Sequence, residues 1–239
     1  MRIDTEYYTH CGGQPENRDC LRCPTPPLTG AVLCDGVNGA PGGGEASAFC
    51  AESLISRLTE GQSPAAALTW MLEAFPQWQR SAVLYRRACS TACLCTLTDG
   101  VCSWASIGDT RLYRFSGGRM ADVTPDDSAA FTAYRAGKTA YAQLRLHPQR
   151  SMLTACLGDP AARACHSGQW TLEDGDALLL CSDGFWQYVF ETEMELDLCK
   201  AGTAADWLRA MLLRLTRRSM LDGDNLTAWA CFYRGGTDL

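Results

Sequence analysis

The sequence contains no apolar run of the length that a membrane span requires, which is roughly 18 residues. Its first residues, MRIDTEYYTHCGG, carry Asp4 and Glu6 and lack the apolar core of a secretory signal. Basic residues are too few for a typical nucleic-acid binder, since 21 Lys and Arg stand against 27 Asp and Glu and leave a formal charge of −6. We therefore expect a cytoplasmic protein with no membrane anchor and no nucleic-acid partner.

Low-complexity stretches, internal repeats and long charge runs are absent as well. The one linker-like segment, RCPTPPLTG at residues 22–30, is too short to separate domains and is typical of a loop. The chain has 239 residues, 46% of them hydrophobic, which is enough to bury a substantial core. The sequence therefore predicts a single domain over residues 1–239.

Cysteine, in contrast, is abundant, with 14 residues. Most cysteines stand among apolar neighbours, as in AVLCD, ACLCTL and LLLCSD, which is typical of reduced thiols in a core. A disulfide framework is not expected, because the chain is neither small nor marked for export. Cys20 and Cys23 form a lone CxxC, but no second pair completes four zinc ligands. A thiol-rich metal or redox protein stays open as one alternative.

Short apolar runs joined by tight turns predict antiparallel strands. Thr98-Asp99-Gly100 and Gly117-Gly118 are typical hairpin turns. Apolar residues at helical spacing predict helices over 46–58, 67–75 and 207–215, with a separate helical segment after Pro76. Because helices and strands come in blocks rather than in strict alternation, the sequence predicts an α+β fold. The predicted strands are 31–34, 92–97, 101–107, 111–115, 119–123, 177–181 and 226–233.

Acidic residues recur where predicted strands end or begin. Leu33-Cys34-Asp35-Gly36 and Leu180-Cys181-Ser182-Asp183-Gly184 each place a carboxylate at the end of a buried strand, and Asp222-Gly223-Asp224-Asn225 precedes the last strand. Carboxylates that converge at adjacent strand ends repel one another unless a cation lies between them. Oxygen ligands without histidine or cysteine favour Mg²⁺ or Mn²⁺ over zinc. One Asp-Gly pair usually marks only a turn, but three in this order predict a metal site.

Seven motifs in chain order resemble those of the metal-dependent protein phosphatases of type 2C. The resemblance implies a four-layer α-β-β-α sandwich, in which two antiparallel sheets are flanked by helices and a two-metal site lies at one end of the sheets. The motifs are NRD at 17–19, VLCDGVNG at 32–39 with GGEAS at 43–47, SIGDTR at 106–111, TPDDS at 124–128, HPxRSMLTxxLG at 147–158, LCSDGF at 180–185 and DNLT at 224–227.

The resemblance also implies roles for individual residues. Asp35 would bridge two Mn²⁺ or Mg²⁺ ions, and the Gly36 carbonyl would bind one of them. Asp183 and Asp224 would hold the other ion, while Asp19 would support the site directly or through water. A water shared by the ions would lose a proton and attack the phosphorus of a phosphoserine or phosphothreonine. The partners implied by analogy are a phosphorylated protein and a serine/threonine kinase with the same targets.

Several positions depart from the family pattern. Gln14 stands where the family has an arginine that clamps the substrate phosphate, and Arg18, four residues away, is our predicted replacement clamp. A solvated Arg18, or one that pairs with a neighbouring carboxylate, is the open alternative.

Gln187 stands where the family has an aspartate that helps to bind a third metal ion. Asp109, the other ligand expected for that ion, remains, so any third site should be weak. Asp127 replaces a family histidine. Beside an active enzyme, these departures keep open a phosphatase-like binding or regulatory domain with little turnover.

Overall fold

The computed structural model describes residues 2–39, 41–218 and 223–235. Its strands are β1 (Arg2–His10), β2 (Asp19–Arg22), β3 (Thr29–Asp35), β4 (Ala92–Thr98), β5 (Val101–Ile107), β6 (Arg111–Ser116), β7 (Arg119–Val123), β8 (His166–Thr171), β9 (Ala177–Cys181) and β10 (Leu226–Arg234). Its helices are α1 (Gly43–Thr59), α2 (Pro64–Ser81), α3 (Ala129–Arg135), α4 (Asp183–Trp186), α5 (Glu191–Leu198) and α6 (Ala204–Thr216), with 3₁₀ turns at Val83–Tyr85 and Tyr141–Leu146.

The strands form two antiparallel sheets of five strands each. The order is β1-β10-β9-β6-β7 in the first sheet and β2-β3-β4-β5-β8 in the second. A cluster that includes Leu33, Trp104, Leu180 and Trp229 fills the space between the sheets. Helices α1 and α2 pack on the outer face of the second sheet, while α5 and α6 pack on the outer face of the first. The predicted four-layer α-β-β-α sandwich is confirmed.

The seven predicted strands are confirmed to within two residues at each end. The sequence analysis missed β1, β2 and β8. β1 lies at a sheet edge and pairs along its whole length with β10, from Arg2 opposite Arg234 to His10 opposite Leu226. An edge strand needs no continuous apolar run, because one side of it faces solvent, and the sequence RIDTEYYTH shows none.

The predicted break at Pro76 is wrong. Helix α2 continues through this proline to Ser81, although the ring removes one backbone N–H from the helix. The rings of Phe75 and Trp78 lie 5.1 Å apart, and those of Trp78 and Tyr85 stack at 4.4 Å. This aromatic packing holds the residues after Pro76 against the same core, which offsets the missing hydrogen bond.

The predicted hairpin turns and the reduced cysteines agree with the structure. Asp99 and Gly100 both have positive φ, at 49° and 75°, as a two-residue hairpin turn requires. All 14 cysteines are free thiols, and nine of them are buried, so they behave as small core hydrophobes. None of the described helices has the length and apolar character to cross a membrane.

Candidate active site

One pocket of about 160 Å³ gathers four of the predicted acidic residues. Asp35 ends β3, Asp109 follows β5, Asp183 opens α4 directly after β9, and Asp224 precedes β10. Strands of both sheets therefore contribute to this one end of the sandwich. The other lining residues are Val37, Asn38, Thr91, Ser151 and Leu153. Asp222, from the same acidic cluster as Asp224, lies outside the described residues.

Burial and the charge of neighbouring carboxylates raise the pKa values of Asp35, Asp109 and Asp183. Burial, reinforced by Asp224 and Asp19, raises the pKa of Asp183 to about 7. Burial is also the main reason that the pKa values of Asp35 and Asp109 lie well above the usual range, and the neighbouring carboxylates add to it. Such a group is satisfied either by a proton or by a cation. The site is therefore chemically suited to a divalent ion at neutral pH.

Asp19 supplies a second observation that fits a cation site. It lies on β2 directly opposite Asp35, and its Oδ2 accepts a hydrogen bond of 2.7 Å from the Ser182 hydroxyl. Its Oδ1 is buried and has no hydrogen-bond partner among the described residues. Burial raises the pKa of this carboxyl to about 6. A buried carboxylate oxygen is normally paired, so a water molecule or an ion would complete it.

The donor set fits a hard cation that keeps part of its water shell. Within the described residues, no three Asp, Glu, His or Cys side chains are grouped so that they alone could hold an ion. Both carboxylate oxygens of Asp224 accept from the Asn38 amide, at 3.1 and 3.0 Å. Water and backbone carbonyls such as that of Gly36 would therefore supply the remaining ligands, which is how Mg²⁺ is usually bound.

Two glycines allow the backbone segments of the site to approach closely. A Cβ on Gly36 would lie 2.2 Å from the Gly43 carbonyl oxygen, and one on Gly184 would lie 2.1 Å from the Asn225 carbonyl oxygen. Any side chain would therefore push apart the segments that carry the site. The Gly36 carbonyl was predicted to bind a metal ion. The close approach to Gly43 is a second, steric reason for glycine at this position.

Asn225 holds the loop that precedes β2. Its Oδ1 accepts from the Arg18 backbone N–H at 2.8 Å, and its Nδ2 donates to the carbonyls of Cys11 and Glu16, each at 2.9 Å. These contacts join the motif at 17–19 to the motif at 224–227. One asparagine fixes the position of Asp19 relative to Asp224.

Arg18 contacts both the neighbouring carboxylate of Glu16 and the pocket residue Asn38. Its Nε donates to Glu16 at 2.7 Å, and an Nη atom donates to Asn38 at 3.3 Å. This is the engagement with a neighbouring carboxylate that the sequence analysis held as the alternative. The phosphate clamp at Arg18 stays a prediction, and it would require the pair with Glu16 to open.

Arg150 is a cation near the pocket that sequence reasoning did not single out. Its Nε and one Nη face the Gln187 side-chain amide and would donate to the amide oxygen, because an amide nitrogen cannot accept these bonds. Burial dominates the raised pKa of Asp183, and the charge of Arg150 acts against that rise. Arg150 precedes the pocket residue Ser151 within the motif at 147–158, and that adjacency was the available signal. Gln187 thus holds a guanidinium where a third-metal carboxylate was expected.

Asp127 takes a structural position where the family has a histidine. Its Oδ2 accepts from the Gly108 N–H at 3.0 Å, and its Oδ1 lies 2.8 Å from Nε2 of His166. The hydrogen bond to Asp127 is the main cause of the raised pKa of His166. Asp127 therefore ties β8 to the turn that presents Asp109.

A buried ion pair supports the same turn from the other side. Arg111 and Asp126 are both almost fully buried and lie 2.6 Å apart. The Arg111 guanidinium stacks on the Trp186 ring at 3.6 Å, and the Trp186 indole N–H donates to the Asp109 carbonyl at 2.9 Å. This chain of contacts connects the core of the first sheet to the backbone at Asp109.

Comparison with known proteins agrees with this geometry. A family model described as protein phosphatase 2C matches residues 10–229. The chain belongs to the protein phosphatase 2C family. The serine/threonine phosphatase stp of Listeria welshimeri is 26% identical over 204 residues, which cover 80% of this chain and 76% of that protein.

Solved structures share the protein phosphatase 2C fold over nearly the whole chain. A bacterial serine phosphatase superposes with a TM-score of 0.88 at 22% identity, covering 99% of this chain and all of that one. The catalytic domain of the serine/threonine protein phosphatase PstP, described in complex with two manganese ions, superposes with a TM-score of 0.77 at 17% identity, covering 98% and 100%. At these identities the structural likeness establishes the fold.

Proposed function

We propose that this protein is a metal-dependent phosphatase that hydrolyses phosphoserine and phosphothreonine in proteins. The observation that carries the proposal is the convergence of Asp35, Asp109, Asp183 and Asp224 on one pocket at the end of the sandwich. Membership of the protein phosphatase 2C family supports the same activity. The related phosphatase of Listeria welshimeri supports the substrate class.

The residues of the pocket would hold two Mn²⁺ or Mg²⁺ ions, with Asp35, Asp183, Asp224 and the Gly36 carbonyl as ligands. Bound ions would supply an activated water and positive charge toward the phosphoryl oxygens. Asp19, supported by Ser182, would orient ligand water through its unpaired Oδ1. The manganese ions described for PstP support this assignment. A third ion at Asp109 would bind weakly, because Gln187 offers no charge to it.

Two arginines are candidates for holding the substrate phosphate in place of the arginine missing at Gln14. Arg18 is engaged by Glu16, whereas Arg150 forms no ion pair among the described residues and is aimed by Gln187. A guanidinium free of a carboxylate keeps its charge available for phosphate, and the donors of Arg150 that do not face Gln187 remain free to bind it. We therefore favour Arg150 as the stronger of the two, with Arg18 as an auxiliary clamp.

We also propose where the protein acts and on which targets. We place the protein in the cytoplasm as a single domain, acting on targets of a serine/threonine kinase. Nothing in the described geometry favours the alternative of a binding or regulatory domain without turnover, because the pocket keeps its carboxylates.

Hydrolysis of para-nitrophenyl phosphate tests the activity. We expect turnover with Mn²⁺, none after the metal is removed with a chelator, and none in Asp183→Ala. Activity that persisted both in the chelator and in the variant would overturn the two-metal site.

A further inference from the structure

A second cleft lies beside the metal pocket and carries the opposite charge. It has a volume of about 340 Å³ and is lined by Arg80, Arg86 and Arg163 around an apolar floor, with Asp159 as its single acidic residue. The floor and remaining walls are Leu72, Pro76, Gln79, Gly158, Pro160 and Ala162. The proposed phosphatase site does not include this cleft.

The positive charge of this basic cleft is local and available. The protein as a whole carries a formal charge of −6, yet no Asp or Glu occurs between Glu73 and Asp99, a stretch that contains Arg80, Arg86 and Arg87. Arg80, Arg86 and Arg163 are all exposed, and within the described residues none of them forms an ion pair. No close ion pair neutralises these three charges, and Asp159 is the one acidic side chain in the cleft lining. Such a patch attracts an anionic partner.

The walls of the basic cleft are held by specific contacts. The Gln79 amide donates to the Ala88 carbonyl at 2.8 Å and to the Gly158 carbonyl at 3.2 Å. Gly158 has φ of 98°, and a Cβ there would lie 2.6 Å from the Ala88 oxygen. The loop that carries Arg86 and the loop that leads to Arg163 are thus fixed to α2. The cleft is a shaped surface rather than a gap between mobile loops.

The basic cleft and the metal pocket are linked through the backbone at Ser90. Gly36 pairs with Ser90, and Ser90 pairs with Leu157, the residue before Gly158. The Ser90 hydroxyl also donates to the Asp35 carbonyl at 3.1 Å. Two bridges of roughly 5 Å each place Leu157 about 10 Å from Gly36. An extended peptide advances about 3.3 Å per residue, so the cleft would meet side chains some three to five positions from a residue held at the metals.

We propose that the basic cleft binds acidic side chains of the substrate protein, located three to five residues from the phosphorylated serine or threonine. This inference rests on the proposed phosphatase function and specifies its substrate. Val83 and Leu84, three and two residues before Arg86, are exposed and would contact an apolar part of the substrate peptide. The cleft would thus select phosphoproteins whose modified residue lies in an acidic sequence.

The test compares two phosphoserine peptides. They differ only at the third, fourth and fifth positions before and after the phosphoserine. One peptide has Glu at these positions and the other has Gln. We expect kcat/KM to be about tenfold higher for the Glu peptide at low salt, since several exposed ion pairs each add a small factor. The preference should shrink as salt rises. Equal kcat/KM values for the two peptides would overturn the proposal.

Reversing the charge of the basic cleft tests whether the preference for the Glu peptide arises there. In Arg86→Glu/Arg163→Glu we expect the preference to invert toward a peptide with Lys at the same positions. The matched control is Arg209→Glu on α6, an exposed arginine on the opposite side of the sandwich, which should keep the wild-type preference. A reversed variant that still preferred the Glu peptide would contradict the proposal. Arg163→Gln provides a milder change if the double variant melts at a lower temperature.

A binding measurement separates this inference from the phosphatase function. Fluorescence anisotropy would follow a labelled Glu-rich peptide without phosphate, added to the protein in the presence of Mn²⁺. We expect binding that weakens about tenfold in Arg86→Glu/Arg163→Glu. Binding without any phosphatase activity would sink the proposed function and leave the cleft supported. Activity with unchanged peptide binding in the variant would sink the cleft alone.

Discussion

Substitution of the pocket residue Asp183 is expected to raise the stability of the metal-free protein and to lower its activity. Its buried carboxyl has a pKa of about 7, so the ionised form in the metal-free protein is costly above that pH. Asp183→Asn should therefore raise the melting temperature of the metal-free protein at pH 8. The same change should lower kcat at least about 100-fold, because it removes charge that would help hold the ions.

The control for this experiment is Asp174→Asn, which alters an exposed carboxylate far from the pocket. It should leave kcat and the melting temperature close to the wild-type values. An Asp183→Asn protein that was both less stable without metal and fully active would contradict the electrostatic description of the site.

Arg150 and Arg18 differ in how freely they can meet a phosphate. Because Arg18 already pairs with Glu16, we expect Arg150→Ala to raise the KM for para-nitrophenyl phosphate about tenfold, and Arg18→Ala to raise it less. Steady-state kinetics at saturating Mn²⁺ measures both. An unchanged KM in Arg150→Ala with a large increase in Arg18→Ala would reverse our assignment.

The acidic residues of the site could be predicted from sequence, whereas their polar neighbours could not. Asp35, Asp183 and Asp224 stand at strand ends, and a carboxylate at the end of a buried strand is a signal visible in one dimension. The link between Arg150 and Gln187 depends instead on two segments meeting in space. No local sequence pattern predicts the contact between Arg150 and Gln187.

At the scale of secondary structure, prediction succeeded where burial imposes a pattern. β9 and β10 are almost wholly buried, and their apolar runs gave nearly correct bounds. β1 is polar and β2 has only four residues, so neither has a pattern to detect. At Pro76, the local rule for proline was outweighed by tertiary packing of the aromatic rings around it.

Gly184 tests the close packing of α4 against the segment before β10. A Cβ there would lie 2.1 Å from the Asn225 oxygen, so Gly184→Ala should lower the free energy of unfolding by about 1–3 kcal/mol and displace Asp183. Chemical denaturation measures the loss.

Gly202→Ala is the matched control for Gly184→Ala. Its added Cβ would have no neighbour closer than 3.9 Å, and the change should stay within about 0.5 kcal/mol. Equal stability of the two variants would show that the close approach at Gly184 is not required.

For the whole molecule, the raised carboxyl pKa values predict how stability depends on pH. Each of these groups binds its proton more tightly in the folded protein than in the unfolded chain, where the pKa is about 3.8. The folded state therefore holds more protons between about pH 4 and pH 7, and the stability of the metal-free protein should fall as the pH rises through this range.

Mn²⁺ should reverse this fall, because a bound cation favours the ionised carboxylates. Thermal melts from pH 5 to pH 8, with and without Mn²⁺, would show the largest stabilisation by the metal at the highest pH. A metal-free protein that became more stable toward pH 8 would contradict the prediction.

The most direct test of the central claim is phosphate release from a phosphothreonine peptide by protein stripped of metal with a chelator. The account predicts no release from the stripped protein and full recovery when Mn²⁺ is returned, with a dependence on Mn²⁺ concentration that indicates two ions. Protein that binds Mn²⁺ in a calorimeter but releases no phosphate, or that releases it equally well without metal, would contradict the claim.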